Sequence, residues 1–190
     1  MLLPWGDGTV ISQLIAALNS QQPDLCEILV LVRAEDLDLQ REVHQAGAVV
    51  VNPLVDAAPP AHMRESVELL LAEVERRCQP QADAGWLLIP GDHPIVDLSV
   101  LQGLVKVWSD SADRIIVPTY RGRRGHPTLF PWSLAAAVAK LPQDQGLNSM
   151  LRSHAHQVTE MACDSPTIHW DLDTPEDYER CRNLIRQHKA

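Results

Sequence analysis

The sequence is poor in aromatic rings and has no patterned cysteine. One Phe, two Tyr and five Trp in 190 residues leave little material for the stacking platform with which single-strand nucleic-acid binders hold bases. The four cysteines, Cys26, Cys78, Cys163 and Cys181, are widely spaced and form no CxxC pair. That argues against a zinc or redox motif and for reduced structural thiols, since a chain of this length needs no disulfide staple. No apolar run approaches the roughly 18–20 residues that span a bilayer. The start, Met1-Leu2-Leu3-Pro4-Trp5-Gly6, lacks the basic segment and long apolar stretch of a targeting signal. The expectation is a soluble cytoplasmic protein with no membrane partner. Basic tracts are missing too: Lys plus Arg number 16 against 25 Asp plus Glu, a net charge of −9, which disfavours nucleic-acid and anionic-membrane binding. Neither an internal repeat nor a low-complexity tract appears.

Apolar residues make up 45% and charged residues 22%, ordinary globular usage, and the length suits one domain over residues 1–190. Val10, Ile11, Leu14, Ile15 and Leu18 recur at helical spacing and predict an amphipathic helix that ends at Gln21-Gln22-Pro23-Asp24. The short β-branched runs at 27–33 and 48–52 read as strands buried on both faces, with a charged helix over 34–45 between them and Gly47 as its stop. An irregular proline-bearing stretch at 54–61 precedes a helix over 63–77. Strands follow at 85–90 and 114–120, separated by a helix over 98–108. Beyond them the pattern predicts a Gly-Arg-Arg-Gly-His-Pro turn, helices near 131–140 and 146–154, a strand near 157–163, and a last helix starting at Thr174-Pro175. This rhythm predicts an α/β fold, a three-layer Rossmann-like domain with a mostly parallel sheet, in which ligands bind beyond the carboxyl ends of the strands.

Asp92 stands just after one of the most apolar strands, between Gly91 and Pro94, where a carboxylate suits a metal or phosphate site. Magnesium needs only one or two carboxylates plus phosphates and waters, and Asp171 and Asp173 are candidates for the second. Spacing alone equally allows Asp92 to cap its loop and Asp171 or Asp173 to cap the last helix. An Asp-x-Asp metal motif at Asp171-Leu172-Asp173 would also suit a glycosyltransferase. Zinc held by His62, His93 and His126 has no supporting ligand spacing.

The ordered set Leu2-Leu3-Pro4-Trp5, Gly8-Thr9-Val10-Ile11, Asn52-Pro53, Gly91-Asp92-His93-Pro94, Gly122 to Pro127, and Asp171 to Tyr178 resembles the molybdenum-cofactor nucleotidyltransferases over nearly the whole chain. Within that group it is similar to the molybdopterin cytidylyl- and guanylyltransferase-like proteins with a MobA-like NTP transferase domain. The resemblance implies a magnesium-dependent transfer of CMP or GMP from CTP or GTP to molybdopterin or a similar phosphorylated small molecule, with release of pyrophosphate. It implies Asp92 and Asp173 as catalytic metal-binding residues, with Asp171 in reserve, and Asn52, Ser66, His93, Arg123, Arg124, Gly125, His126 and Pro127 as substrate contacts. Arg64 could offer a further fork for a phosphate, but on the first turn of a helix it reads first as a solvated side chain.

Family members open with a buried strand and a Gly-rich loop of the type Leu-Ala-Ala-Gly-x-Ser-x-Arg-Met-Gly, just upstream of the segment that begins this sequence. The resemblance therefore implies a domain that is N-terminally incomplete relative to the family, with its missing strand between the counterparts of 27–33 and 85–90. Two expectations follow. The chain as it stands is silent, and a version extended upstream by roughly 20–25 residues, a strand plus its loop, is active. The alternative is a non-catalytic relative that binds a nucleotide or a pterin.

Overall fold

The computed structural model describes residues 1–20, 26–53, 60–142 and 145–188, with side chains through residue 184. The expected helix stop at 21–24 and most of the irregular stretch at 54–61 lie outside the described residues. A short hairpin that sequence periodicity does not signal, β1 (Pro4–Trp5) and β2 (Gly8–Thr9), opens the chain and leads into α1 (Val10–Asn19). Thr9 caps α1: its Oγ1 accepts from the Ser12 amide and donates to Glu42 Oε1, 2.7 Å away, on α2 (Leu37–Gln45). The strands β3 (Leu29–Leu31) and β4 (Val49–Val51) pair in parallel, with α2 between them in sequence.

After α3 (Met63–Cys78) come β5 (Gly85–Leu88), α4 (Leu98–Asp110) and β6 (Ile115–Tyr120), as the apolar runs predict. The expected Gly-Arg-Arg-Gly-His-Pro turn is the tip and return of a β-hairpin: β7 (Arg123–Arg124) pairs antiparallel with β6. Arg121 at φ +51° and Gly122 at φ +76° occupy the two tip positions, the left-handed pair that a two-residue hairpin needs. β8 (Thr128–Pro131) then enters the sheet between β5 and β6, antiparallel to both, so β5 and β6 point the same way. Two short helices, α5 (Ala135–Val138) and α6 (Leu147–Ser153), precede β9 (Val158–Ala162), which joins β6 in parallel. A 3-10 turn at Pro166–His169 and α7 (Pro175–His188) complete the chain.

The five-stranded sheet is covered on both faces. Ile115 and Val117 of β6, with Trp86 and Phe130, meet Val67 and Leu71 of α3, Val138 of α5 and Met150 of α6. Ile116 and Leu129 face the other way, onto Val100 and Leu104 of α4. This side-to-side alternation is the period-2 pattern of a strand and yields the three-layer α/β architecture. Trp86 and Phe130 are a cross-strand pair with stacked rings, 4.3 Å between centroids, which anchors β8 to β5. The β3–β4 pair shares a separate core with α1, α2 and Leu101 of α4, and among the described residues no hydrogen-bond ladder joins it to β5. Residues 29–31 and 49–51 are correspondingly half-buried, whereas residues 115–119 are fully buried. Trp5 and Val10 pack against Cys181 of α7. All four cysteines are free, and among the described residues no helix is long and apolar enough to cross a membrane.

Candidate active site

Three loops converge beyond the carboxyl end of β5. The first, residues 90–94, is a tight turn in which the His93 amide donates to the Pro90 carbonyl at 3.2 Å, and it carries Asp92. The second is the connector Gly125-His126-Pro127 between β7 and β8. The third is the segment from Ile168 to Asp173. Its Leu172 amide donates to the Asp92 carbonyl at 3.1 Å, and its Ile168 carbonyl accepts the His126 amide at 2.9 Å. A side chain on Gly125 could not be accommodated: a Cβ there would overlap the Ile168 carbonyl oxygen and lie 2.9 Å from its carbonyl carbon. This glycine is required for close approach, not for an unusual backbone angle.

The convergence brings two imidazoles beside two carboxylates. His93 is 1% exposed, and its ring lies edge-on to that of His126, 6.3 Å between centroids. Asp171 Oδ1 is 3.6 Å from His93 Nδ1, an electrostatic contact beyond hydrogen-bond length. Neither His93 Nδ1 nor His126 Nδ1 has a hydrogen-bond partner. Burial pushes the His93 imidazole below its usual pKa, helped by the neighbouring His126 and opposed by Asp171 and Asp92. Burial also lowers His126, again against Asp171 and Asp92. Both rings are therefore biased towards the neutral form, with unpaired nitrogens.

The acids are not helix caps. Thr174 and Asp177 cap α7 reciprocally: Thr174 Oγ1 accepts from the Asp177 amide at 3.1 Å, and Asp177 Oδ2 accepts from the Thr174 amide at 3.1 Å and its hydroxyl at 2.7 Å. The carboxylates of Asp92 and Asp173 have no hydrogen-bond or ion-pair partner among the described residues. Of the two late acids, Asp171 is the one beside the histidines, while Asp173 is exposed. Among the described residues no three His, Cys, Asp or Glu side chains are grouped as metal ligands, which leaves no preformed cluster of His62, His93 and His126. Two uncommitted carboxylates plus water and phosphate oxygens are nevertheless the donor set that magnesium or manganese takes, so these residues fit a divalent cation that arrives with its ligand.

The basic hairpin is divided in its commitments. Arg124 is tied to Glu160 of β9, with Nε and Nη2 each 2.8 Å from Oε1. Arg121 lies over the Tyr120 ring at 5.1 Å. Arg123 is exposed and has no ion pair among the described residues, and its carbonyl is 3.1 Å from His169 Nε2. A cleft of about 400 Å³ opens here, lined by Arg123 through His126 and Thr128 together with Asn148, Leu151 and Arg152 of α6, and by Ile168, His169 and Asp171. Sequence reasoning singled out neither Asn148, Arg152 nor His169; none belongs to a motif.

Other expected contacts have structural duties. Asn52 Nδ2 donates to the Val32 carbonyl at 2.9 Å, tying the ends of β3 and β4 together. Ser66 is half-buried on the first turn of α3. Arg64 is neither solvated nor free for a phosphate: it is 8% exposed, 3.0 Å from Glu68 one turn along and 3.7 Å from Glu65.

Comparison with known proteins bears on this arrangement. A crystal structure of Rv0371c from Mycobacterium tuberculosis H37Rv in complex with manganese is 27% identical, with a TM-score of 0.72 over 96% of this chain and 90% of that one. A homolog of it from Mycobacterium sp. strain JC1 is 26% identical, with a TM-score of 0.75 over 98% and 87%. At 14% identity, 4-diphosphocytidyl-2C-methyl-D-erythritol synthase shares the fold, with a TM-score of 0.74 over 97% and 93%. No curated protein matches the chain. The model of the MobA-like NTP transferase domain matches residues 1–159, and with that match over most of its length the chain belongs to the MobA-like nucleotidyltransferase family.

Proposed function

We propose that this chain, as one domain over residues 1–190, transfers CMP or GMP from CTP or GTP to the phosphate of molybdopterin or a similar phosphorylated small molecule. The observation that carries the reading is the cluster of Asp92, Asp171, His93 and His126 at the carboxyl edge of the sheet, of which His126 and Asp171 line the cleft. An acceptor phosphate is already ionised at neutral pH, so no protein nucleophile or strong base is needed. Its oxygen attacks the α-phosphorus of the nucleotide as the bond to the bridging oxygen breaks, and the electron pair leaves on pyrophosphate. The protein's work is alignment and charge neutralisation.

Asp92 with Asp171 or Asp173 would hold a divalent cation, magnesium or manganese, which would screen the phosphates and stabilise the leaving group. The manganese in the Rv0371c structure supports a divalent ion of this kind. Neutral His93 and His126 add no charge beside the carboxylates, so the cluster remains anionic and attractive to the cation. Gly125 keeps the backbone near the ligand, and Ser66 and Asn52 are the further substrate contacts, Asn52 with its amide also bound to the Val32 carbonyl.

The test is pyrophosphate release from CTP and from GTP, with molybdopterin and with magnesium or manganese, by the chain and by a version extended upstream by roughly 20–25 residues, with Asp92→Asn made in the form that turns over. Turnover that falls about a hundredfold or more in Asp92→Asn is expected, the scale on which one group stabilising transition-state charge acts. Unchanged metal-dependent turnover in that variant sinks the assignment of Asp92. Metal-dependent nucleotide binding without turnover by either form would identify a binding relative instead.

A further inference from the structure

Two of the three guanidinium groups lining the cleft form no ion pair among the described residues. Arg124 is occupied by Glu160, whereas Arg123 on β7 and Arg152 on α6 line the same cleft without an ion pair among the described residues. Of the carbonyls in the last turn of its helix, which a terminal arginine can satisfy, that of Met150 is already supplied with donors. The Met150 carbonyl accepts from the His154 amide at 3.0 Å and the Ser153 hydroxyl at 3.1 Å, and lies 3.1 Å from His154 Nδ1. On a chain of net charge −9, two uncommitted cations from separate elements stand at one cleft whose lining holds a single carboxylate, Asp171. Between them the lining supplies apolar surface from Val117, Leu151 and Ile168, and its about 400 Å³ suits a small molecule rather than a polymer.

We propose that this cleft is a phosphate-monoester site in which Arg123 and Arg152 clamp the phosphate while the apolar lining receives a compact ring. Guanidinium forks match phosphate oxygens in geometry as well as charge, so lysine at position 152 is a poor substitute. The clamp is the acceptor site of the transferase, a role that rests on the reading above, but the binding itself does not depend on it. Asn148, one turn before Arg152 on α6, is placed to orient the bound molecule through its amide.

Phenyl phosphate, a ring bearing one phosphate, is the probe. Its affinity for the full chain is measured by calorimetry without nucleotide or metal for wild type, Arg123→Ala, Arg152→Ala, Arg152→Lys and the control Arg41→Ala, an exposed arginine on α2 paired with Asp38. Thermal melts establish that each variant is folded. Loss of about tenfold or more in each cleft arginine-to-alanine variant, partial recovery in Arg152→Lys and an unchanged control are expected for charge-assisted contacts. Undetectable binding by folded wild type overturns the proposal. So does Arg152→Ala binding as wild type, or a control that weakens as much as the cleft variants. Arginine-dependent binding with no pyrophosphate release under any condition would refute the transferase reading and leave the phosphate site standing.

Discussion

Replacing Gly125 with alanine tests whether the connector before β8 and the turn at Pro166–His169 form one rigid unit. The added Cβ would overlap the Ile168 carbonyl oxygen and approach Ile168 Cγ1 to 2.7 Å. Backbone cannot rotate out of the way as a flexible side chain would, so the two segments must part. Overpacking of this kind costs about 1–3 kcal/mol. The separation also breaks the His126 amide to Ile168 carbonyl bond of 2.9 Å, and a buried group left unpaired costs about 1–3 kcal/mol. The sum, about 2–6 kcal/mol, is a large share of the ~5–15 kcal/mol that holds a domain together. For a chain of this size, with about 2–4 °C lost per kcal/mol, the melting temperature should fall by roughly 4–24 °C. Because the same two segments carry His126, His169 and Asp171, phenyl phosphate affinity should fall as well, even well below the melting temperature. Circular dichroism melts and calorimetric titration measure the two effects. A melting temperature within about 1 °C of wild type would show that the segments separate freely, and the account of Gly125 as a close-approach residue would be wrong.

The double variant Arg123→Ala with Arg124→Ala should lose anion affinity while its stability changes by no more than about 1 kcal/mol, the usual ceiling for an exposed ion pair such as Arg124 with Glu160. A drop in melting temperature with phosphate affinity intact would instead make the hairpin structural. Stability should also fall on acidification. Burial holds His93 and His126 below the ordinary imidazole value of 6.5, so below pH 6.5 the unfolded chain binds more protons than the folded one. The stability tied to these groups is complete above that value and is lost as the pH drops through the lower folded values. Melting temperatures recorded from pH 7 to pH 5 should decline, and less steeply in His126→Gln; identical slopes in the two proteins would count against burial as the cause.

Much of the frame is legible in the chain because β3, β4, β5 and β6 all lie inside apolar runs that the sequence displays, although only β6 is buried along nearly its whole length and β3 and β4 are half-buried. β8 is not legible. Its Thr-Leu-Phe-Pro is four residues long between two prolines, and what makes it a strand is the Trp86–Phe130 stack, a contact between residues more than forty positions apart. Arg64 misleads for a related reason. Helical periodicity sorts arginine onto the polar face, and only Glu68 four residues later hints that the guanidinium can be buried with a partner. At the site, the loop after β5 and the Gly-His-Pro connector are local signals, and the fold brings the two side by side. The pairing of His93 with Asp171 rather than Asp173 depends on how the segment after the 3-10 turn crosses the end of the sheet, and two acids separated by a single leucine give no hint of it. Arg152 sits on a short helix with no motif around it, and its role emerges only once the hairpin is folded beside it.

The insertion of β8 between β5 and β6 also dictates an order of assembly. β6, β7 and β8 lie within residues 115–131 and close small loops, at little entropic cost. Among the described residues β5 pairs in the sheet with β8 alone and docks there once residues 128–131 are in position. The connector with Gly125 and His126 is thus part of the segment that must form first, and contacts made early govern the folding rate more than the unfolding rate. Lesions in this ligand-facing loop will register as slow maturation of the whole domain, before any ligand is present to be missed.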